Sequence, residues 1–140
     1  MKLKFTADPH ELAAMRAAAR GYLLESGIPE MDVELMVLAL DEACTNIIRY
    51  AYGGCSQHPI RLHIQRMRGS VRCTLRDYGN PCDPSKIHGR DLTDFRPGGL
   101  GVRIMHAAFD TVDFQPMPRG TRLTLTRSLR GHSRPVSAAT

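Results

Sequence analysis

The sequence predicts a two-layer α/β (α+β) sandwich, in which a mixed, mostly antiparallel sheet is covered on one face by helices. Three observations lead there. Apolar residues alternate with polar ones in short segments joined by tight turns, which makes neighbouring strands antiparallel hairpins. Two longer segments carry apolar residues at helical spacing and are long enough to cover one face of a sheet. Along the chain the segments read strand, helix, helix, two strands, helix, two strands. Hairpins interspersed with helices in this way define two layers rather than a parallel sheet wrapped on both sides.

Lys2 to Thr6 alternates Leu3 and Phe5 with polar residues, a short strand. Asp8 then precedes Pro9, a capping residue and a first-turn proline, and an alanine-rich helix runs to about Ser26, with Gly27 as its stop. A second helix starts near Pro29-Glu30 and is expected to reach about Ala51, ended by Gly53-Gly54. Met31, Leu35 and Leu38, and Val37, Leu40, Ala43, Cys44 and Ile47, supply its apolar spacing. Ile60 to Met67 and Val71 to Leu75 alternate on either side of Arg68-Gly69-Ser70, a hairpin. Asp77 to Gly98 is rich in Gly and Pro and reads as a long loop, of the length that in a compact domain is usually functional or mobile. A third helix follows from Leu100 to about Phe109, then a last hairpin of Thr111 to Phe114 and Thr121 to Leu129 around Pro116–Gly120.

At 140 residues and 42% hydrophobic, the chain has the size of one domain that buries its own core without disulfides or a structural metal. Residues 1–129 are expected to form that domain. Residues 130–140, rich in Arg, Ser, Ala and Pro, are expected to be a disordered tail. The longest apolar run, Leu35 to Leu40, is far short of the ~20 residues that span a bilayer, so the expectation is a soluble, cytoplasmic protein with no membrane partner. The four cysteines form no Cys-x-x-Cys pair, and Cys55-x-x-His58 lacks a second pair to complete a zinc site. The net charge of +5 is compatible with nucleic acid, but the basic residues form no block and aromatics are only 6%, which argues against direct nucleic-acid binding.

Four features depart from simple packing. Glu42 and Asn46, four apart, emerge on one face of the second helix, where a carboxylate and an amide oxygen can meet one ligand. A hard cation such as Mg²⁺ could use the Asn46 oxygen together with phosphates and water, while Glu42 orients or deprotonates a hydroxyl. The same residues, with Asp41 and Arg49, also fit the solvated stripe of an amphipathic helix. Asp77-Tyr78-Gly79 follows a strand directly: the carboxylate can accept hydrogen bonds from an amino group and glycine admits a ligand, although an ordinary turn has the same composition. Gly98-Gly99-Leu100-Gly101 opens a helix, whose unpaired amides favour phosphate oxygens, and equally fits a tight loop needing positive φ. Gly120-Thr121 leads the last strand, as a hydroxyl near a ligand or as a turn.

In this order, Glu42-Ala-Cys-Thr-Asn46, Asp77-x-Gly79, Gly99-Leu-Gly101 and Gly120-Thr121 resemble the nucleotide-binding boxes of the GHKL ATPase superfamily, most closely its bacterial anti-sigma factor serine kinases. The likeness extends over roughly Lys2 to Leu129 and includes Ala51-Tyr52-Gly53 and Asp83-Pro84. It implies a Bergerat-type fold that binds ATP and Mg²⁺. Asn46 would coordinate the metal, Glu42 would be the catalytic base toward a substrate serine, and Asp77 would accept from the adenine amino group beside Gly79. Gly99 and Gly101 would pass the phosphates, and Thr121 would support the adenine side. The implied partners are an anti-anti-sigma protein of the STAS type, phosphorylated on serine, and a sigma factor that is sequestered, with a homodimer as the common assembly.

The sequence departs from that pattern at Cys82, where many relatives carry Phe, and in its short lid, about Ser85 to Arg96. No phosphoacceptor-histidine helices precede the domain, which directs the expectation away from a complete histidine kinase. Arg96 and Arg103 flank the phosphate loop and are either γ-phosphate contacts or solvated surface. The alternative function is a non-catalytic nucleotide-binding or partner-sequestering module.

Overall fold

The computed structural model describes residues 1–6, 8–53, 57–79 and 101–129. In chain order the elements are β1 (Lys2–Thr6), α1 (Pro9–Glu25), α2 (Glu30–Asn46), a π-helical turn (Ile47–Ala51), β2 (Pro59–Met67) and β3 (Ser70–Asp77). Helix α3 (101–108), β4 (Thr111–Pro116) and β5 (Thr121–Ser128) follow. The sheet order is β1-β2-β3-β5-β4, and every pairing among the described strands is antiparallel. The two-layer sandwich is therefore present as expected.

The period of two places one side chain in two of each strand on the helix side. Register aligns these into rows: Leu3, Leu62, Leu75, Leu123 and Phe114 form one, and Ile64, Cys73, Leu125 and Val112 the next. Arg61, Arg72, Arg76 and Arg122 stand on the opposite face, half-buried or exposed. A third row begins with Phe5 and Ile60 and then reaches Asp77, so a carboxylate occupies a position that the alternation of Val71, Cys73 and Leu75 reserves for an apolar residue.

Helix α1 is capped by Asp8, whose side chain accepts from the His10 N–H at 2.7 Å. Glu11 in its first turn accepts from the Thr6 N–H and hydroxyl at 2.9 and 2.8 Å, which ties the helix start to the end of β1. Leu12, Met15, Ala19 and Leu23 face the core, and Gly27, at φ +87°, ends the helix in the left-handed conformation. Helix α2 buries Val33, Met36, Val37, Leu40, Ala43 and Cys44. Met31 and Leu38, expected from their spacing on the covered face, are instead 86% and 44% exposed. A stripe centred on Met36, Leu40 and Ala43 leaves those two on the far side of the helix.

The expected helical run to Ala51 is present with a change of pitch, because the α-helix ends at Asn46 and a π turn carries the chain to Ala51. Gly53, at φ +59°, closes it. Arg127 lies in the core-facing positions of β5 and is 4% exposed; it donates to the Ala108 carbonyl at 2.8 Å and pairs with Asp32 at 2.9 Å. One buried cation thus ties the last turn of α3 and the first turn of α2 to the sheet. Cys44 and Cys73 are free and buried; burial raises the Cys44 thiol far above its ordinary value and pushes Cys73 up to about 12, as expected of structural, unreactive thiols.

Candidate functional site

The site is organised by the end of β3. Asp77 is only 3% exposed, and burial pushes its carboxyl above the usual carboxylate range. The N–H groups of Gly79 and Thr121, with the nearby Arg76 charge, act the other way, and the Gly79 bond measures 3.1 Å. Thr121 comes to Asp77 because the β3–β5 register that pairs Arg76 with Arg122 brings residues 77 and 121 opposite each other on the core-facing side. Asp77, Gly79 and Thr121 therefore form one cluster at the end of the sheet.

Two glycines make the cluster possible. A Cβ on Gly79 would lie 2.8 Å from the Ala51 carbonyl carbon, nearer still to its oxygen, and 2.9 Å from Tyr52 Cδ1. The turn after β3 is thus pressed against the π turn that follows Asn46, and residue 79 has no room for a side chain. Gly120, at φ +82°, is closed in the same way, since a Cβ there would lie 2.7 Å from the Asp77 carbonyl carbon and 2.8 Å from its Oδ1.

The remaining candidates lie on and against α2. Glu42 and Asn46 are half-buried, in keeping with their shared face, whereas Asp41 turns to α1 and pairs with Arg16 at 2.8 Å. The stripe is consequently divided, with Asp41 engaged in helix packing. Gly101, at the start of the described part of α3, is buried against Glu42, and a Cβ on it would meet Glu42 Oε2 at 3.0 Å. The structure brings Glu42 to Gly101 on one side and Gly79 to the turn after Asn46 on the other. Arg103 and His106 are exposed on α3. Gly99, Arg96, Cys82, the Ser85–Arg96 lid and the tail 130–140 lie outside the described residues.

Sequence reasoning gave no role to Tyr52, Tyr78 or Arg119. The Tyr52 hydroxyl donates to the Pro59 carbonyl at 2.5 Å and accepts from the Tyr78 N–H at 2.8 Å. Arg119 Nε donates to the Tyr78 carbonyl at 3.0 Å, and the Arg76 guanidinium lies 4.4 Å from the Tyr78 ring centre. Tyr52, Tyr78 and Arg119 border an open cleft of about 580 Å³ at this end of the sheet, which Gly79 and His58 also line. A tyrosine and glycines around Asp-x-Gly were visible as residue types; their convergence depends on the turn between β4 and β5, which no local spacing reports.

The fold thus carries a carboxylate on a buried face at the end of β3, backbone there that a side chain would obstruct, and Glu42 and Asn46 half-buried on α2. The sequence pattern of the histidine kinase-like ATPase domain matches residues 5–127, and the chain belongs to that family. Among similar proteins, the serine/threonine-protein kinase BtrW of Bordetella bronchiseptica is 31% identical over 106 residues, covering 73% of this chain and 72% of its own. The serine-protein kinase RsbW of Bacillus velezensis is 24% identical over 140 residues, covering 94% and 86%.

Solved structures with the same fold include the SiaB-SiaC complex from Pseudomonas aeruginosa, with a TM-score of 0.67 at 14% identity over 90% of this chain and 88% of that one. The RsbU and RsbW domains of Rv1364c from Mycobacterium tuberculosis give 0.60 at 19% identity over 91% of this chain. The chain spans 31% of that longer protein. Among the described residues no helix is long and apolar enough to cross a membrane.

Proposed function

We propose that this protein is an ATP-dependent serine kinase of the anti-sigma type, which phosphorylates an anti-anti-sigma protein of the STAS class and sequesters a sigma factor. The observation that carries the reading is the buried Asp77 carboxylate, set by the Gly79 and Thr121 amides beside a helix that presents Glu42 and Asn46. Membership of the ATPase family and the similarity to proteins named serine-protein kinases support it.

The donor set suits ATP and Mg²⁺. Asp77 is an acceptor held in an apolar row, where an adenine amino group can replace lost hydration, and Gly79 lets the turn beside it pack against Ala51 and Tyr52. Among the described residues no group of three or more His, Cys, Asp or Glu side chains could hold a metal unaided. A lone Asn46 oxygen suits a cation that arrives with its phosphates and keeps several waters. When bound, Mg²⁺ neutralises charge on the phosphates. Gly99 and Gly101 would leave backbone close to those phosphates, and Thr121 would support the base. Glu42 would accept the proton of the substrate serine as its Oγ bonds to the γ-phosphorus and the bond to the bridging oxygen of ADP breaks.

The test is phosphoryl transfer from labelled ATP to a purified STAS-type anti-anti-sigma protein, with Glu42→Gln and Asn46→Ala as variants. Transfer in the wild type, reduced about 10²-fold or more in Glu42→Gln, is the expected result. Partner binding without transfer in the wild type would replace the kinase with a non-catalytic sequestering module.

A further inference from the structure

Residue 78, the unspecified position of the Asp-x-Gly turn, has both of its backbone polar groups held by side chains. Its N–H is bound by the Tyr52 hydroxyl at 2.8 Å and its carbonyl by Arg119 Nε at 3.0 Å, while Arg76 covers its ring. The Tyr52 hydroxyl is itself fixed by donating to the Pro59 carbonyl at the start of β2. Three separate parts of the fold therefore converge on one residue and the two peptide groups that flank it: the segment after α2, the first residue of β2, and the turn between β4 and β5. Asp77 and Gly79 are the immediate neighbours of that residue, and the Gly79 N–H that donates to Asp77 Oδ1 belongs to the same turn.

From this geometry we infer that Tyr52 is a positioning residue: its hydroxyl, opposed by Arg119, holds the turn so that the Asp77 carboxylate is aimed at the 6-amino group of the nucleotide base. The inference rests on the reading of Asp77 as the adenine acceptor. The Tyr52 hydroxyl reaches that acceptor through the Tyr78 N–H, so removing it should weaken the one contact that depends on Asp77's aim. Contacts to ribose and phosphates come from other parts of the chain and should persist. Packing of the Tyr52 ring, 8% exposed as a residue and 4.7 Å from the His58 ring centre, is kept by phenylalanine.

The experiment is calorimetric titration of wild type and Tyr52→Phe with ATP and with purine riboside 5′-triphosphate, which lacks the 6-amino group. Wild type should prefer ATP by about tenfold, the worth of one well-placed hydrogen bond to a charged group. In Tyr52→Phe that preference should fall to about twofold or less, mostly through weaker ATP binding, while affinity for the analogue changes little. A preference retained in Tyr52→Phe, including an equal loss for both ligands as in a general structural defect, overturns the positioning role alone. Equal affinities in the wild type would overturn the reading of Asp77 itself, and the inference with it. Arg119→Met, altered on the exposed side of the clamp, provides the same readout should Tyr52→Phe fail to fold, and an unchanged preference there would likewise overturn the inference.

Discussion

Replacing Gly120 by alanine separates two contributions that usually arrive together. At φ +82° an alanine is strained whatever surrounds it, by about 1–2 kcal/mol. Its Cβ would also lie 2.7 Å from the Asp77 carbonyl carbon and 2.8 Å from Oδ1. Comfortable carbon contacts begin near 3.5 Å, so the turn between β4 and β5 must retreat by most of an ångström, or Asp77 must. Overpacking of this kind costs about 1–3 kcal/mol, and the two terms together reach about 2–5 kcal/mol. That is a large share of a domain stability of about 5–15 kcal/mol.

Gly27 is the internal control, since it has φ +87° but, among the described residues, no heavy atom within 4 Å of its would-be Cβ. Urea unfolding of Gly27→Ala should report the backbone strain alone, and Gly120→Ala should lose about 1–3 kcal/mol more. The Gly120 variant should also lose nucleotide affinity, because the atoms in its way are those of Asp77. Equal losses of stability, or a Gly120→Ala protein with wild-type nucleotide affinity, would refute the claim that this glycine gives Asp77 its place.

Further outcomes follow from the same cluster. Burial raises the Asp77 carboxyl above its ordinary value of 3.8, so the folded protein holds this proton more tightly than the unfolded chain does. Its favourable contribution is complete below that ordinary value and is lost as pH rises through the folded value. Asp77→Asn, which has nothing to ionise, should therefore gain stability relative to wild type as pH rises from about 4 toward 7, measured by urea midpoints across that range; a pH-independent difference would contradict the assignment. Gly101→Ala should leave stability within about 0.5 kcal/mol of wild type, because among the described residues the one tight approach to the Cβ is Glu42 Oε2 at 3.0 Å, the end of a flexible side chain. It should nonetheless slow phosphoryl transfer by displacing that carboxylate, and an unchanged rate would separate Glu42 from the chemistry.

Much of this architecture was legible because it is local. The alternation of Val71, Cys73 and Leu75, continued to Asp77, puts a carboxylate on the buried side of β3, whereas Thr121 comes beside it through the pairing of β3 with β5, strands far apart in sequence. Glu42 and Asn46 share a face because four residues make about one helical turn. Arg127 occupies an equally anomalous position in the alternation Thr121, Leu123, Leu125, Arg127, yet its partners, Asp32 and the Ala108 carbonyl, come from helix ends distant in sequence. The π turn after Asn46 was illegible for a related reason. The apolar spacing of α2 continues through Ile47, so periodicity alone does not report the change of pitch that presses Ala51 and Tyr52 against Gly79. Met31 and Leu38 were misplaced because spacing defines a stripe only relative to what covers it.

The central claim, that Asp77 anchors a Mg²⁺-assisted adenine-nucleotide site, is tested most directly by calorimetric titration of ATP and ADP with and without Mg²⁺ into wild type, Asp77→Asn and Asn46→Ala. The account predicts binding by the wild type, strengthened by Mg²⁺, a loss of about tenfold or more in Asp77→Asn, and loss of the Mg²⁺ enhancement in Asn46→Ala. A folded wild type that takes up no nucleotide, or an Asp77→Asn protein that binds as tightly as wild type, would contradict it.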